Sequence, residues 1–363
     1  MFIENYNANP MIDQLVKKFP DSSSTETNIK IFSNVKEEYA ALKQGVGVLI
    51  FFNKTIIKLT GKDTLDFLHR VSTNSIKYLK PFYKVPTLFL NEKGRFIDRT
   101  ILLNLENHFI LLGNNKTGRL LNWVNKYIIM EDIQTSDISS NYCVFDLIGP
   151  QAESYLTLLI GDDIKSLNGE NILVISIDGF NFNVFSLHEN NGLKYYRILI
   201  TSEQALNFAD YIAENKSVFD LSFVGSDAFE IFRLEMGMSE YPSEINDNYN
   251  PHENGLINEI SFTKGCYIGQ EVIARLDTYD KVQRKITGLI FEDTFDSNLP
   301  IAIYSDGNEV VGEVTSVVNS IMLDKKIGLG MIRKKSISDE ANLFVKLESN
   351  RVNLSVVELP FIK

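Results

Sequence analysis

Cysteine is nearly missing from this 363-residue chain: Cys143 and Cys266 cannot build a disulfide framework, and two thiols fall short of the four that hold an iron–sulfur cluster. The histidines, at 69, 108, 188 and 252, stand in no spacing that suits a zinc site or a Cys–His catalytic pair. A Walker loop and a GxGxxG turn after a strand are also lacking. No apolar run approaches a membrane span, and the opening MFIENYNANPMIDQL has neither the basic head nor the apolar core of a secretory leader, so a cytoplasmic protein without membrane partners is expected. The net charge of −11 argues against direct nucleic-acid binding and leaves small anionic ligands open.

What the chain has is a globular composition, 44% hydrophobic and 23% charged, at a length that calls for two or three units. Residues 1–30, ending in DSSSTETNIK, read as a loosely ordered arm. Residues 31–283 alternate strands and helices in groups, the pattern of an α+β domain. EEYAALKQG is a short helix stopped by Gly45, VGVLIFF and TIIKL suit strands, and TGKDTLDFLHRV reads as a helix capped at Thr60. FYKVPTLFL and FIDRTILLNL flank NEKGR, where Asn91 and Gly94 supply a hairpin turn. Further helices are expected from about 116 to 127 and at QAESYLTLLI, SEQALNFADYIAEN and SDAFEIFRLEMG. After Lys285 the helical period disappears, and six short β runs separated by turn residues predict an all-β barrel or sandwich over 284–363.

Three groups of residues carry chemistry. In ISFTKGCYIGQEVIARL, Cys266 stands between Gly265 and Gly269, two residues after Lys264, ahead of a helix with Glu271 in its first turn and Arg275 four residues on. A thiol beside a cation and a helix N-terminus has its thiolate favoured; the alternative is a small buried hydrophobe, which suits Cys143 better. The second group concentrates Glu230, Arg233, Glu235, Glu240, Glu244 and Glu253. It reads as a solvated acidic face, or as a site where Glu235, at a helix end, accepts parallel N–H bonds from a planar heterocycle. The third is Asp98 in GRFIDRT with Asn114, which adjacent antiparallel strands could bring to one rim; ordinary turn polarity is the alternative.

These groups, in this order, resemble the folate-binding superfamily of the glycine-cleavage T-protein, the aminomethyltransferase, and within it the YgfZ-type branch associated with iron–sulfur protein maintenance. The likeness runs from about Glu37 through IIKLTGKDTLDFLHRVSTNSI, LNEKGRFID, LIGP, RLEMG and PHENGLINEISFTKGCYIGQEVIAR, and KGCYIGQE, which looks like the YgfZ signature, is its sharpest piece. The resemblance implies a ring of two interwoven α+β units followed by a C-terminal β-barrel, with tetrahydrofolate or a one-carbon-substituted folate as cofactor. It matches Glu235 to the glutamate that grips the pterin ring, with Arg233 among the folate contacts. Asp98 matches the first of two neighbouring aspartates near the one-carbon site, and Asn114 a pterin-side asparagine. Cys266 becomes the signature cysteine at the folate's edge, with Lys264, Gly265, Tyr267, Gly269, Gln270, Glu271 and Arg275 around it; no metal site is implied.

The expectation that follows is a tetrahydrofolate-binding accessory factor for assembly or repair of iron–sulfur enzymes, with assembly proteins or client enzymes as partners. A folate-dependent aminomethyltransferase, in which Asp98 orients the amine or takes a proton, is the alternative, and a scaffold with a degenerate folate pocket a third reading. Two departures from the T-protein pattern favour the first. The second aspartate is Arg99, and the glycine-rich TGYTGE stretch has no counterpart, the nearest region reading IDGFNFNVFSLHENNG.

Overall fold

The structure, a computed structural model, describes residues 10–52, 54–114, 118–187, 193–278, 281–337, 342–347 and 350–362. The chain is shared between two units, one taking residues 1–64, 78–85 and 101–229, the other 65–77, 86–100 and 230–363.

It opens with helix α1 (Pro10–Lys18), the ribbon of β1 (Ser23–Ser24) and β2 (Ile29–Ile31), and helix α2 (Val35–Gln44). Residues 10–30 are therefore not a loose arm. Ile12 and Leu15 lie on one face of α1 and, with Ile29, are buried in the first unit's core, which outweighs the polar run between them. Helix α2 begins where Asn34 Oδ1 accepts the Lys36 amide and stops at Gly45, where a Cβ would lie 2.0 Å from the Asp220 carbonyl oxygen. Strands β3 (Val46–Phe51) and β4 (Thr55–Thr60) lead to helix α3 (Thr64–Val71). That helix starts later than a Thr60 cap implies, because Gly61 turns the chain at φ +117° and its carbonyl accepts the Thr64 hydroxyl at 2.8 Å.

Strands β5 (Tyr83–Leu90) and β6 (Phe96–Asn104) are the arms read around NEKGR, and each carries the chain from one unit into the other. Next come β7 (Phe109–Gly113), α4 (Arg119–Tyr127), β8 (Gln134–Asp137), β9 (Tyr142–Ile148) and α5 (Ala152–Ile160). Then follow β10 (Leu173–Ile177), β11 (Phe180–Ser186), β12 (Tyr195–Thr201), α6 (Ser202–Glu214), β13 (Leu221–Phe223) and α7 (Ser226–Glu235). The start expected for α4 at Lys116 and the tail of IDGFNFNVFSLHENNG lie outside the described residues. In the first unit a six-stranded sheet runs β10-β11-β12-β9-β3-β13, antiparallel except for β13 on β3. Tyr155 and Leu156 of α5 and Phe208 and Ile212 of α6 share its core. A five-stranded sheet has the order β5-β6-β7-β4-β8.

In the second unit helix α8 (Gln270–Thr278) precedes β14 (Arg284–Phe291), β15 (Ile301–Ser305), β16 (Val310–Ser320), β17 (Lys325–Arg333), β18 (Leu343–Lys346) and β19 (Arg351–Val357). These are the six β runs read from the sequence, closed into a barrel in the order β14-β17-β16-β15-β18-β19 around Leu289, Ile303, Val314 and Val345. The fold is thus mixed α+β with a C-terminal closed barrel. Among the described residues no helix is long and apolar enough to cross a membrane.

Candidate functional site

The second unit lays the loop Lys264–Gly269 onto the hairpin turn at Asn91–Gly94. Asn91 Oδ1 accepts the amides of Lys93 and Arg95 at 2.9 and 3.0 Å, which shapes the turn. Gly269, at φ +84°, approaches it so closely that a Cβ would lie 2.6 Å from the Asn91 carbonyl oxygen. Gly265 has no neighbour within 4 Å of such a Cβ, so close approach explains Gly269 and not Gly265. Tyr267 is buried with Leu88, Leu90, Phe96 and Ile273, and burial pushes its phenol up to about 12. Gln270 is half-buried at the start of α8, while Glu271 and Arg275 are exposed on it.

Lys264 does something other than its spacing suggests. Its ammonium donates to the carbonyls of His69, Ser72 and Asn74, at and beyond the C-terminus of α3, and lies 5.2 Å from the Tyr267 ring. Burial lowers its pKa to about 8. Burial first, and the Lys264 charge second, also hold His69 below the usual imidazole range, and His69 Nδ1 accepts the Ile76 amide at 3.1 Å. The lysine thus fastens one end of the loop and Gly269 the other, and Cys266 is exposed between them.

Asp98 is the third residue of β6 and fully buried, with Oδ1 accepting the Arg99 amide at 2.9 Å. The Arg99 guanidinium turns to Glu259, with Nε donating to Oε1 at 2.9 Å and Nη2 paired with the same oxygen at 2.6 Å. Glu259 ends a short 3-10 turn, Ile257–Glu259, whose position is fixed by the Thr73 hydroxyl on the Glu259 carbonyl at 2.8 Å. Its Oε2 is buried without a partner among the described residues. Sequence reasoning passed over Glu259, whose only signal was a carboxylate between Ile257 and Ile260.

The acidic run is not a solvated face. Arg233, 3% exposed, directs its five N–H groups to Glu230 twice, to the Met238 carbonyl, to Glu244 and to Ser316. That arrangement engages all five N–H groups within the protein, and it ties the end of α7 to barrel strand β16. Glu235, fully buried, serves the same joint: Oε1 accepts the Ser320 hydroxyl at 2.6 Å and the Met322 amide at 3.3 Å. Glu253, 5% exposed, lies between Arg95 and Arg284 at 2.7 and 2.9 Å. Asn114 belongs to the first unit, where Lys54 Nζ donates to its Oδ1 at 2.7 Å. The second unit therefore holds Asp98, the Cys266 loop and the α7 joint, without Asn114.

The GCVT N-terminal domain model matches residues 11–264, and that of the glycine cleavage T-protein C-terminal barrel domain matches 284–363. A chloroplastic protein of Arabidopsis thaliana, named a putative transferase, is 29% identical over 315 residues, 85% of this chain and 70% of its own length. Similar aminomethyltransferases include those of Bacillus mycoides, 26% identical over 92% of this chain and 91% of its own, and Staphylococcus carnosus, 25% identical over 90% of each. The glycine cleavage system aminomethyltransferase T of Bartonella henselae shares the fold, with a TM-score of 0.83 at 18% identity over 97% of each chain.

Proposed function

We propose, from the premise that this chain belongs to the glycine-cleavage T-protein family within the aminomethyltransferase superfamily, that it binds a tetrahydrofolate and transfers a one-carbon unit between an amine donor and that folate. The supporting observation is Asp98, a fully buried carboxylate oriented by the Arg99 amide on the strand beside the hairpin turn. A folate ring brings N–H donors, and the residues fit it on that count. Glu259 Oε2 is a buried acceptor without a partner among the described residues, on a carboxylate tied to the residue that follows Asp98.

Bound tetrahydrofolate supplies the nitrogens that take up the one-carbon unit. Asp98 accepts an N–H of the donor amine at its carboxylate and holds that amine in place, or takes the proton that leaves it, an acid–base contribution of about a hundredfold or more. Arg99 holds Glu259 where the T-protein pattern has a second aspartate. Glu235 and Arg233 secure the barrel. Work in the cytoplasm belongs to the same proposal. Calorimetric titration with tetrahydrofolate tests it: saturable binding is expected, and its absence would leave the degenerate scaffold.

The exposed position of Cys266, on a loop fastened at both ends, favours a second reading, the accessory factor for iron–sulfur enzymes. On that reading Cys266→Ser lowers the activity of client iron–sulfur enzymes in cells and keeps folate affinity. Unchanged client activity in that variant would remove it.

A further inference from the structure

Among the described residues, Glu259 is the single carboxylate with a buried oxygen that has no hydrogen-bond partner. The residue is 7% exposed, and everything else about it is held. Its amide donates to the Leu256 carbonyl at 3.2 Å, and its carbonyl accepts the Thr73 hydroxyl at 2.8 Å. Thr73 is fixed in turn, its hydroxyl accepting the Leu88 amide at 3.0 Å and its carbonyl the Ser261 amide at 3.0 Å. An arginine fork facing a carboxylate ordinarily divides its donors between the two oxygens. Here Nε and Nη2 of Arg99 converge on Oε1, and Oε2 is left. Burying an acceptor without a donor is unfavourable, so this arrangement suits a position that a ligand completes. Arg99 already balances the carboxylate charge, which makes a neutral N–H a better match than a second cation.

We infer that Glu259 Oε2 accepts a hydrogen bond from a neutral ring N–H of the bound ligand, with Arg99 as the positioning residue that holds the carboxylate for it. The inference rests on the folate reading above, in which that ring is the pterin, and it moves the acceptor role from Glu235 to Glu259.

Glu259→Gln is the direct test, measured with tetrahydrofolate by calorimetry on the full chain. The amide oxygen keeps Arg99, and an NH2 then stands where Oε2 was, donor against donor. The expected result is affinity weaker by about tenfold or more, with the thermal midpoint of the ligand-free protein unchanged or higher. Arg99→Ala should weaken binding in the wild-type background and add nothing in the Glu259→Gln background. Tetrahydrofolate binding that is equal in wild type and Glu259→Gln would make the pair structural and overturn the inference while sparing the folate reading. A wild-type chain that binds no tetrahydrofolate would overturn both. A midpoint lower by about five degrees or more in Glu259→Gln, or failure of that variant to fold, would assign the pair to stability and overturn the inference whatever the affinity. Equal losses from Arg99→Ala in both backgrounds would remove its positioning role.

Discussion

A methyl group at position 269 would stand 2.6 Å from the Asn91 carbonyl oxygen and 3.2 Å from Gly94 Cα, on a residue at φ +84°. Left-handed backbone costs a non-glycine residue roughly 1–2 kcal/mol. Shifting a packed hairpin turn to relieve the contact adds roughly 1–3 kcal/mol. Gly269→Ala should therefore lower the local stability of the loop and the first turn of α8 by about 2–5 kcal/mol. Two amides report on that segment, Gln270 bonded to the Tyr267 carbonyl at 3.2 Å and Ile273 to the Gly269 carbonyl at 3.2 Å. Opening easier by about 3 kcal/mol speeds their hydrogen exchange by roughly two orders of magnitude. Gly265→Ala is the matched control: its backbone lies outside the left-handed region and nothing is within 4 Å, so an effect below about 0.5 kcal/mol is expected. Wild-type exchange in Gly269→Ala, or equal acceleration in both variants, would refute the assignment of the close approach to Gly269.

Arg233→Ala strips the counter-ion from Glu244, which is fully buried, and should cost about 3–5 kcal/mol in urea unfolding with tetrahydrofolate affinity kept. Lost affinity at unchanged stability would instead make Arg233 a ligand contact. In the first unit Lys84 is 5% exposed, with Nζ on the Gly169 carbonyl at 2.5 Å, and burial, followed by the Arg197 charge, lowers its pKa to about 8. The unfolded chain binds that proton more tightly, so the Lys84 contribution to stability should rise as pH climbs from about 8 towards 10.5, by at most about 3 kcal/mol. Lys264 shares the window, and Lys84→Met should flatten the rise without abolishing it; a slope identical to wild type would contradict the buried charge. Asp98→Asn should cut one-carbon transfer by about a hundredfold or more with folate affinity little changed, read from single-turnover rates beside calorimetry.

The barrel strands were legible because each is a short β-branched run between turn residues. Their closure was not, since it depends on β14 meeting β19 in the register Gly288 with Val357. Helix α1 was missed because the polar DSSST run drew attention from Ile12 and Leu15, whose burial partners lie far along the chain. The Cys266 loop declared itself through KGCYIGQE, yet the destination of the Lys264 charge did not: its acceptor at Asn74 is 190 residues away. Arg233 and Glu235 stand out in the sequence, but their protein partners do not. Ser316 and Ser320, 83 and 85 residues on, fix what they do. Glu259 acquires its character from Arg99, 160 residues earlier, and no local pattern could mark that pair.

The transferase reading is most directly tested by mixing the purified full chain with tetrahydrofolate and an aminomethyl donor and following the one-carbon unit. Transfer that requires tetrahydrofolate and collapses in Asp98→Asn is the expected result. A one-carbon unit that never leaves the donor, with tetrahydrofolate bound, would contradict it.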